Sequence, residues 1–337
     1  MTDLEVRADA PPLLQVEDLA VHFPVRGGGL GRRRSRVHAV DGVSFEVRRG
    51  STFGLVGESG SGKSSTALAV MRLGPVTRGS IRLGDEELAG LEGEALRLCR
   101  RRMQMIFQDP YSSLNPRVRA GRIVREPLEQ LRIGTSSERE ERVAELFRQV
   151  GLRPEQRALF PHQFSGGQRQ RIGIARALAS RPDLVVCDEP VSALDVAIQA
   201  QILNLLRALQ HDLGLTYLFI SHDLAVVQYM CDEIAVMYGG QIVEQADRRS
   251  LFRAPRHPYT IALLASVYSV TPHRPSKRAG QAAGEPANPV DPEPGCRFAP
   301  RCPFAEVRCR SESPVSEAVG PAHRVACHRW QEIERPG

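Results

Sequence analysis

Eight consecutive residues, Gly57, Glu58, Ser59, Gly60, Ser61, Gly62, Lys63 and Ser64, satisfy the spacing G-x-x-x-x-G-K-[ST]. The glycines let the backbone bend so that its N–H groups converge on an anion, and a helix following the loop adds the positive end of its dipole. Lys63 supplies a compact charge for the outer phosphates of a nucleotide. Ser64 offers a hydroxyl to Mg²⁺, and Ser65 carries the loop into the helix. A plain Gly/Ser turn would share much of this composition. It would not need a lysine. The chain has only two, Lys63 and Lys277, and uses arginine elsewhere. A planar guanidinium fits an enclosed loop poorly, which gives the lysine a physical reason.

A second group of candidate residues follows an apolar run. Leu184, Val185, Val186 and Cys187 end in Asp188 and Glu189. On their own, two acids there would read as a solvated strand end. Beside a phosphate loop they read as chemistry: Asp188 holds Mg²⁺, directly or through water, and Glu189 is the general base for an attacking water. Farther along, Cys296, Cys302, Cys309 and Cys327 crowd the C-terminal stretch at spacings of 6, 7 and 18 positions. In a cytosolic chain such crowding points to metal before disulfides. The spacings are looser than a C-x-x-C zinc ribbon. Zn²⁺, with His323 or His328 as alternative ligands, and inert thiols both stay open. Cys99, Cys187 and Cys231 are scattered and read as small buried hydrophobes.

These residues need positioning elements. Apolar patterning predicts strands at 13–16, 43–47, 52–56, 103–107, 184–187, 216–220 and 234–238. It predicts helices at 63–73, 138–150, 168–179 and 196–213, within a generally helical stretch from 110 to 180. Gly239-Gly240 predicts a two-residue hairpin into 241–244. Apolar strands alternating with helices argue for an α/β fold with a largely parallel sheet covered on both faces. A Gly/Arg loop at 27–36 and a Pro/Gly/Ala-rich stretch at 272–294 read as an insertion and a linker.

Composition excludes some classes. No stretch approaches the roughly 20 consecutive apolar residues that cross a bilayer. The first 12 residues are polar, without a signal-peptide core. The formal charge is +6, and its clearest cluster, Arg32, Arg33, Arg34 and Arg36, has no aromatic neighbours. It reads as a solvated loop, and no nucleic-acid partner is expected.

Further motifs narrow the family. Phe164-Ser165-Gly166-Gly167-Gln168 resembles the LSGGQ signature of the ABC ATPases, with Phe in place of Leu. Ser165, Gly166 and Gly167 would open a helix and aim its dipole at an anion. In that family the signature faces ATP held by the opposing subunit. Gln108 matches the Q-loop glutamine, which senses Mg²⁺ or water. Ser192 and Asp195 match the D-loop, His222 the switch histidine and Phe23 the aromatic that stacks on adenine. The resemblance spans residues 13–264 and implies a P-loop, RecA-like core. An N-terminal antiparallel β subdomain and an inserted helical subdomain at about 110–180 complete it. ATP and Mg²⁺ are the implied ligands.

Stretches around Asp41, Gln108 and His257-Pro258-Tyr259 resemble the peptide, oligopeptide, dipeptide or nickel importer ATPases, in the F-type form. This implies ATP hydrolysis that powers import, of peptides in the first instance. Nickel or another small solute, and a soluble ABC ATPase of the phosphonate-cleavage kind, are the alternatives. The implied partners are a D-type sister ATPase or a second copy, two integral membrane permeases and an extracytoplasmic substrate-binding protein. The implied location is the cytoplasmic face of the membrane, bound peripherally. Residues 265–295 would be a linker and 296–330 a cysteine extension. In some members that extension holds a [4Fe–4S] cluster, which four thiolates suit.

Overall fold

The structure is a computed structural model that describes residues 11–25, 35–109, 111–268 and 288–333. The arginines 32–34, Lys277 and most of the Gly/Arg loop and Pro-rich stretch lie outside the described residues.

Two long strands, β1 (Leu14–Pro24) and β2 (Arg36–Val47), come first, and β3 (Thr52–Val56) runs into helix α1 (Lys63–Val70). Next come β4 (Arg78–Leu83), β5 (Glu86–Glu87), α2 (Gly93–Arg102) and β6 (Met103–Ile106). Three helices follow: α3 (Ala120–Gln130), α4 (Ser136–Gln149) and α5 (Gly166–Leu178). Strands and helices then alternate through β7 (Leu184–Asp188), α6 (Val196–Leu213), β8 (Thr216–Ser221) and α7 (Leu224–Met230). The hairpin β9 (Glu233–Tyr238) and β10 (Gln241–Asp247) leads to α8 (Arg248–Arg253) and α9 (Pro258–Tyr268). The last elements are α10 (Val307–Ser311), β11 (Glu317–Gly320) and β12 (His323–Val325).

The chain forms two compact units, each assembled from separate stretches. The first takes the chain up to Gln15, Glu46–Thr52 and Arg82–Phe219; the second takes Val16–Phe45, Phe53–Ile81 and the chain from Ile220 onward.

In the first unit, β6 and β7 pair in parallel, from Met103 opposite Leu184 to Ile106 opposite Cys187, and β8 lies beside β7. Every residue of β7 is buried, as its unbroken apolar run requires. The Arg102 guanidinium meets Asp183 at 2.8 Å just before β7. Tyr217 is fully enclosed and its hydroxyl donates to Leu206 O at 2.9 Å, tying α6 to β8. Helix α4 buries Val143, Leu146 and Phe147 and starts at a capping box between Thr135 and Glu138.

In the second unit the order is β11-β12-β10-β9-β3. β3 and β9 are parallel, from Phe53 opposite Glu233 to Val56 opposite Val236. Gly239 and Gly240 close the β9–β10 hairpin at φ of 54° and 85°, the left-handed pair that a two-residue turn of this hand demands. β10 pairs antiparallel with β12, so the cysteine-bearing terminus adds strands to the sheet.

That attachment rests on a buried carboxylate. Glu244 accepts the Arg256 and His257 amides at 2.7 and 2.9 Å and the His323 ring at 2.8 Å. Stranding such a charge would cost several kcal/mol, about 3–5 by general experience. His257 is wholly enclosed, and burial lowers its pKa to about 4, with Glu244 pulling upward. Its Nδ1 accepts the Tyr259 amide at 3.1 Å, as a neutral ring does. The unfolded chain takes up this proton near 6.5 and the folded chain only near 4. Stability present above pH 6.5 is therefore lost as pH falls towards 4. Thermal melts across that window should show a falling midpoint, and His257→Gln should flatten the profile whatever its baseline.

Candidate functional site

The phosphate loop belongs to the second unit. β3 delivers the chain at Gly57, whose φ is 152°, and a Cβ there would lie 2.2 Å from Met237 O. A Cβ at Gly62 would lie 2.3 Å from Ala39 O. Only glycine fits these two close approaches. Lys63 is 5% exposed, and its ammonium donates to Gly57 O and Glu58 O at 2.8 Å and to Ser61 Oγ at 3.3 Å. The cation is thus held by the loop it follows. Helix α1 starts directly after Gly62, which carries no side-chain cap. Ser59, Gly60 and Ser64 are exposed, and Ser65 is half-buried. His222 follows β8 and is exposed, and Phe23 is 40% exposed near the end of β1.

The acids belong to the first unit. β7 ends at buried Asp188, and Glu189 follows in a left-handed conformation at φ 46°. A bulky non-glycine residue rarely sits there, and such strain collects where a side chain must be aimed. Gln108 Nε2 donates to Glu189 Oε2 at 2.8 Å. Ser192 closes the turn behind it, its amide and hydroxyl reaching Glu189 O at 3.3 and 3.2 Å. Asp195 caps α6 by accepting the Ile198 amide at 3.0 Å.

Helix α5 opens at Ser165. Its hydroxyl accepts the Gln168 amide at 3.3 Å, and the Gln168 side chain accepts the Ser165 amide at 3.0 Å. A Cβ on Gly167 would lie 2.5 Å from Ile198 Cγ2, so the signature turn packs against the start of α6. Within this unit the structure gathers Gln108, Asp188, Glu189 and Ser192 around one strand end. It sets Ser165–Gln168 beside the D-loop helix.

Comparison with known proteins shows the family. The probable peptide ABC transporter ATP-binding protein y4tS of Sinorhizobium fredii is 49% identical over 94% of this chain and 89% of its own length. The oligopeptide transport ATP-binding protein AppF of Bacillus subtilis is 46% identical over 96% of this chain and 99% of its own. This chain belongs to the ATP-binding subunits of ABC transporters. Within it the ABC transporter family matches residues 40–192, and the oligopeptide/dipeptide transporter C-terminal region matches 243–309. A dimeric ATP-binding cassette in a post-hydrolysis state, bound to ADP and Pi, superposes with a TM-score of 0.61. It is 27% identical and covers 70% of this chain and 99% of its own. The expected P-loop ABC ATPase fold is therefore present.

In this ABC subunit the four terminal cysteines line one small cavity, whose wall mixes apolar Pro258, Phe304 and Ile333 with polar His328 and Arg329. Backbone bonds close the turns that carry two of these thiols: the Ala299 amide donates to Cys296 O at 2.9 Å and the Ala305 amide to Cys302 O at 3.2 Å. Burial raises the Cys302 thiol to about 11 and the Cys327 thiol to about 12, and pushes Cys296 up as well. Among the described residues, His22, His38 and Asp41 form the one group of three whose ligand atoms all lie within 4.8 Å. There Asp41 is already engaged by the Arg297 guanidinium, which suits a hydrogen-bonded cluster better than a cation. Among the described residues no three of these sulfurs lie all within 4.8 Å of one another, whereas tetrahedral Zn–S bonds of about 2.3 Å would set them roughly 3.8 Å apart. Four thiols around one cavity are a donor set that would suit a multi-iron cluster.

Sequence reasoning missed three residues of this region. Tyr259 accepts the Glu58 amide at its hydroxyl at 2.8 Å. Arg297 and Arg301 each adjoin a cysteine, and that adjacency was the available signal.

Proposed function

We propose that this chain binds and hydrolyses Mg²⁺-ATP as one half of a head-to-tail pair that powers peptide import. The observation that carries the reading is Lys63, caged beneath a loop whose Gly57 and Gly62 admit no side chain, in a chain that also aims Glu189 from a strained turn. Residues 57–65 bind the phosphates, and Phe23 stacks on the adenine. Ser64, Gln108 and Asp188 would hold Mg²⁺, which neutralises charge developing on the phosphates. Glu189 takes a proton from the attacking water, and His222 contacts the γ-phosphate. Ser165, Gly166, Gly167 and Gln168 face the nucleotide of the partner subunit, and Ser192 and Asp195 line the junction. Closure on ATP and reopening after hydrolysis would rock two permeases between inward and outward access.

Peptide cargo is supported by the relatives' names and by the transporter C-terminal region at 243–309. The partners follow the same reading: a D-type sister or second copy, two permeases and a binding protein, at the cytoplasmic membrane face. Among the described residues no helix is long and apolar enough to cross a membrane, so attachment would run through those permeases. The domain plan we propose is an ATPase body at 13–264, a linker at 265–295 and a thiol-bearing extension at 296–330. Affinity purification from membranes should recover both permeases, and vesicles of that complex should take up labelled peptide when ATP is added. Uptake of nickel alone would overturn the cargo, and recovery without any permease would overturn the transport reading.

Cys296, Cys302, Cys309 and Cys327 would hold a [4Fe–4S] cluster, and bound iron would keep all four as thiolates despite burial. Protein purified without oxygen should be brown and carry about four irons per chain. Colourless protein with one zinc would replace the cluster with Zn²⁺.

A further inference from the structure

The thiol cavity and the phosphate loop are joined by two arginines, each next to a cysteine in sequence. Arg301 precedes Cys302. Its guanidinium forks onto the Glu58 carboxylate, with nitrogens 2.8 and 3.2 Å from the two oxygens. Glu58 is the second residue of the phosphate loop, and its amide is fixed by the Tyr259 hydroxyl. Arg301 also lies over the Tyr238 and Phe298 rings, at 5.7 and 5.9 Å from their centroids. Its side chain is only 11% exposed. A bidentate pair to a planar group, half-shielded by aromatic rings, fixes orientation as well as charge.

Arg297 follows Cys296 and makes the second connection. It donates to Gly239 O at the tip of the β9–β10 hairpin and to Asp41. The next residue of the tip, Gly240, donates its amide to Ser61 O of the phosphate loop at 2.9 Å. Gly240 O accepts the Asp41 amide at 2.9 Å. The tip is pressed between these partners: a Cβ on Gly239 would lie 3.1 Å from the Arg297 side chain. Two independent lines therefore run from the thiol-bearing turn to the loop that cages Lys63, one through Glu58 and one through Ser61.

We propose that Arg301 and Arg297 are positioning residues for the phosphate loop, through which filling the four-cysteine site strengthens ATP binding. A filled site anchors the backbone at Cys296 and Cys302, and so holds both guanidinium groups in place. An emptied site leaves that turn to its short 3-10 helix (Ala299–Arg301) and a few backbone bonds. The loop then loses its two outer supports and must order itself on ATP, at a cost in affinity. By linkage, ATP must strengthen the hold on metal by the same factor.

The inference rests on the reading of residues 57–64 as the nucleotide loop, and the test separates the two. Full-length chain is prepared iron-loaded and chelator-stripped, as wild type, Arg301→Ala and Arg301→Lys. Binding of a fluorescent ATP analogue is measured together with thermal melting and iron content. Stripping should weaken wild-type binding by about tenfold, within the usual range of coupling between sites. Arg301→Ala should give the loaded chain part of that loss, and stripping it should add less than it does in wild type, because only the Arg297 connection is left to cut. Arg301→Lys should recover part of the loss, keeping charge without the fork. ATP should raise iron retention against chelator in wild type and less in Arg301→Ala.

Binding unchanged within twofold on stripping, or losses that simply multiply, would overturn the proposal. So would a lowered melting point with unaltered ATP affinity, the mark of mere attachment. A chain that takes up no metal would overturn it as well. A loaded wild type that binds no ATP would instead sink the nucleotide-loop reading.

Discussion

Replacing Glu189 with glutamine should stop turnover while leaving ATP bound. The substitution keeps the shape of the side chain and keeps an oxygen for the 2.8 Å bond from Gln108. The strained backbone at φ 46° is set by the chain around it, including Ser192, and does not depend on the carboxylate charge. What is lost is the proton acceptor. General base catalysis contributes about 10²–10⁴-fold, so phosphate release should fall by that order. ATP affinity should change little. Because opening follows hydrolysis, the ATP-bound pair should accumulate and appear as a doubled mass on size-exclusion chromatography. Turnover within tenfold of wild type would remove Glu189 from its assigned role.

Lys63→Ala should have an effect of a different kind. The ammonium is enclosed by Gly57 O, Glu58 O and Ser61 Oγ, so its removal strands acceptors that face inward. It also removes the one compact cation of the loop. Truncating one member of a buried, hydrogen-bonded charge pair costs about 2–5 kcal/mol. ATP affinity should therefore fall by roughly a hundredfold or more. Lys63→Arg should fare little better, since a rigid fork cannot reproduce three converging bonds within that enclosure. Equilibrium binding of labelled ATP, compared at matched folded fraction, measures both. An arginine variant with near wild-type affinity would show that charge alone suffices.

How far the sequence reveals the structure depends on where the pattern is local. β3 was expected at 52–56 and lies there, because five buried residues in a row leave little choice. The Gly239-Gly240 turn was legible for the same reason: its backbone needs what glycine supplies. β1 was expected to end at 16 and runs to Pro24. Asp18 sits at φ 46°, which breaks the alternation, and Leu19, Ala20 and Val21 are then all buried. β2 begins at Arg36, not 43, since Asp41 and Gly42 interrupt its apolar face to meet Arg297 and the hairpin tip. β11 and β12 were not expected, because strands of four and three residues carry no readable period. Of the candidate residues, those in motifs were legible. Arg301 was not, since Glu58 is 243 positions away in sequence.

The cap at the start of α5 has one more consequence. A serine hydroxyl can accept two hydrogen bonds and donate one. Ser165 spends an acceptor position on the Gln168 amide, and Gln168 in turn occupies the Ser165 amide. Its single proton is left to turn outward. The turn is thereby given a polarity: it can offer hydrogen to an incoming oxygen, while its capacity to coordinate a cation is already partly used. Two such subunits meeting without nucleotide would present donors with nothing to receive them, and a phosphate arriving between them would complete both faces at once.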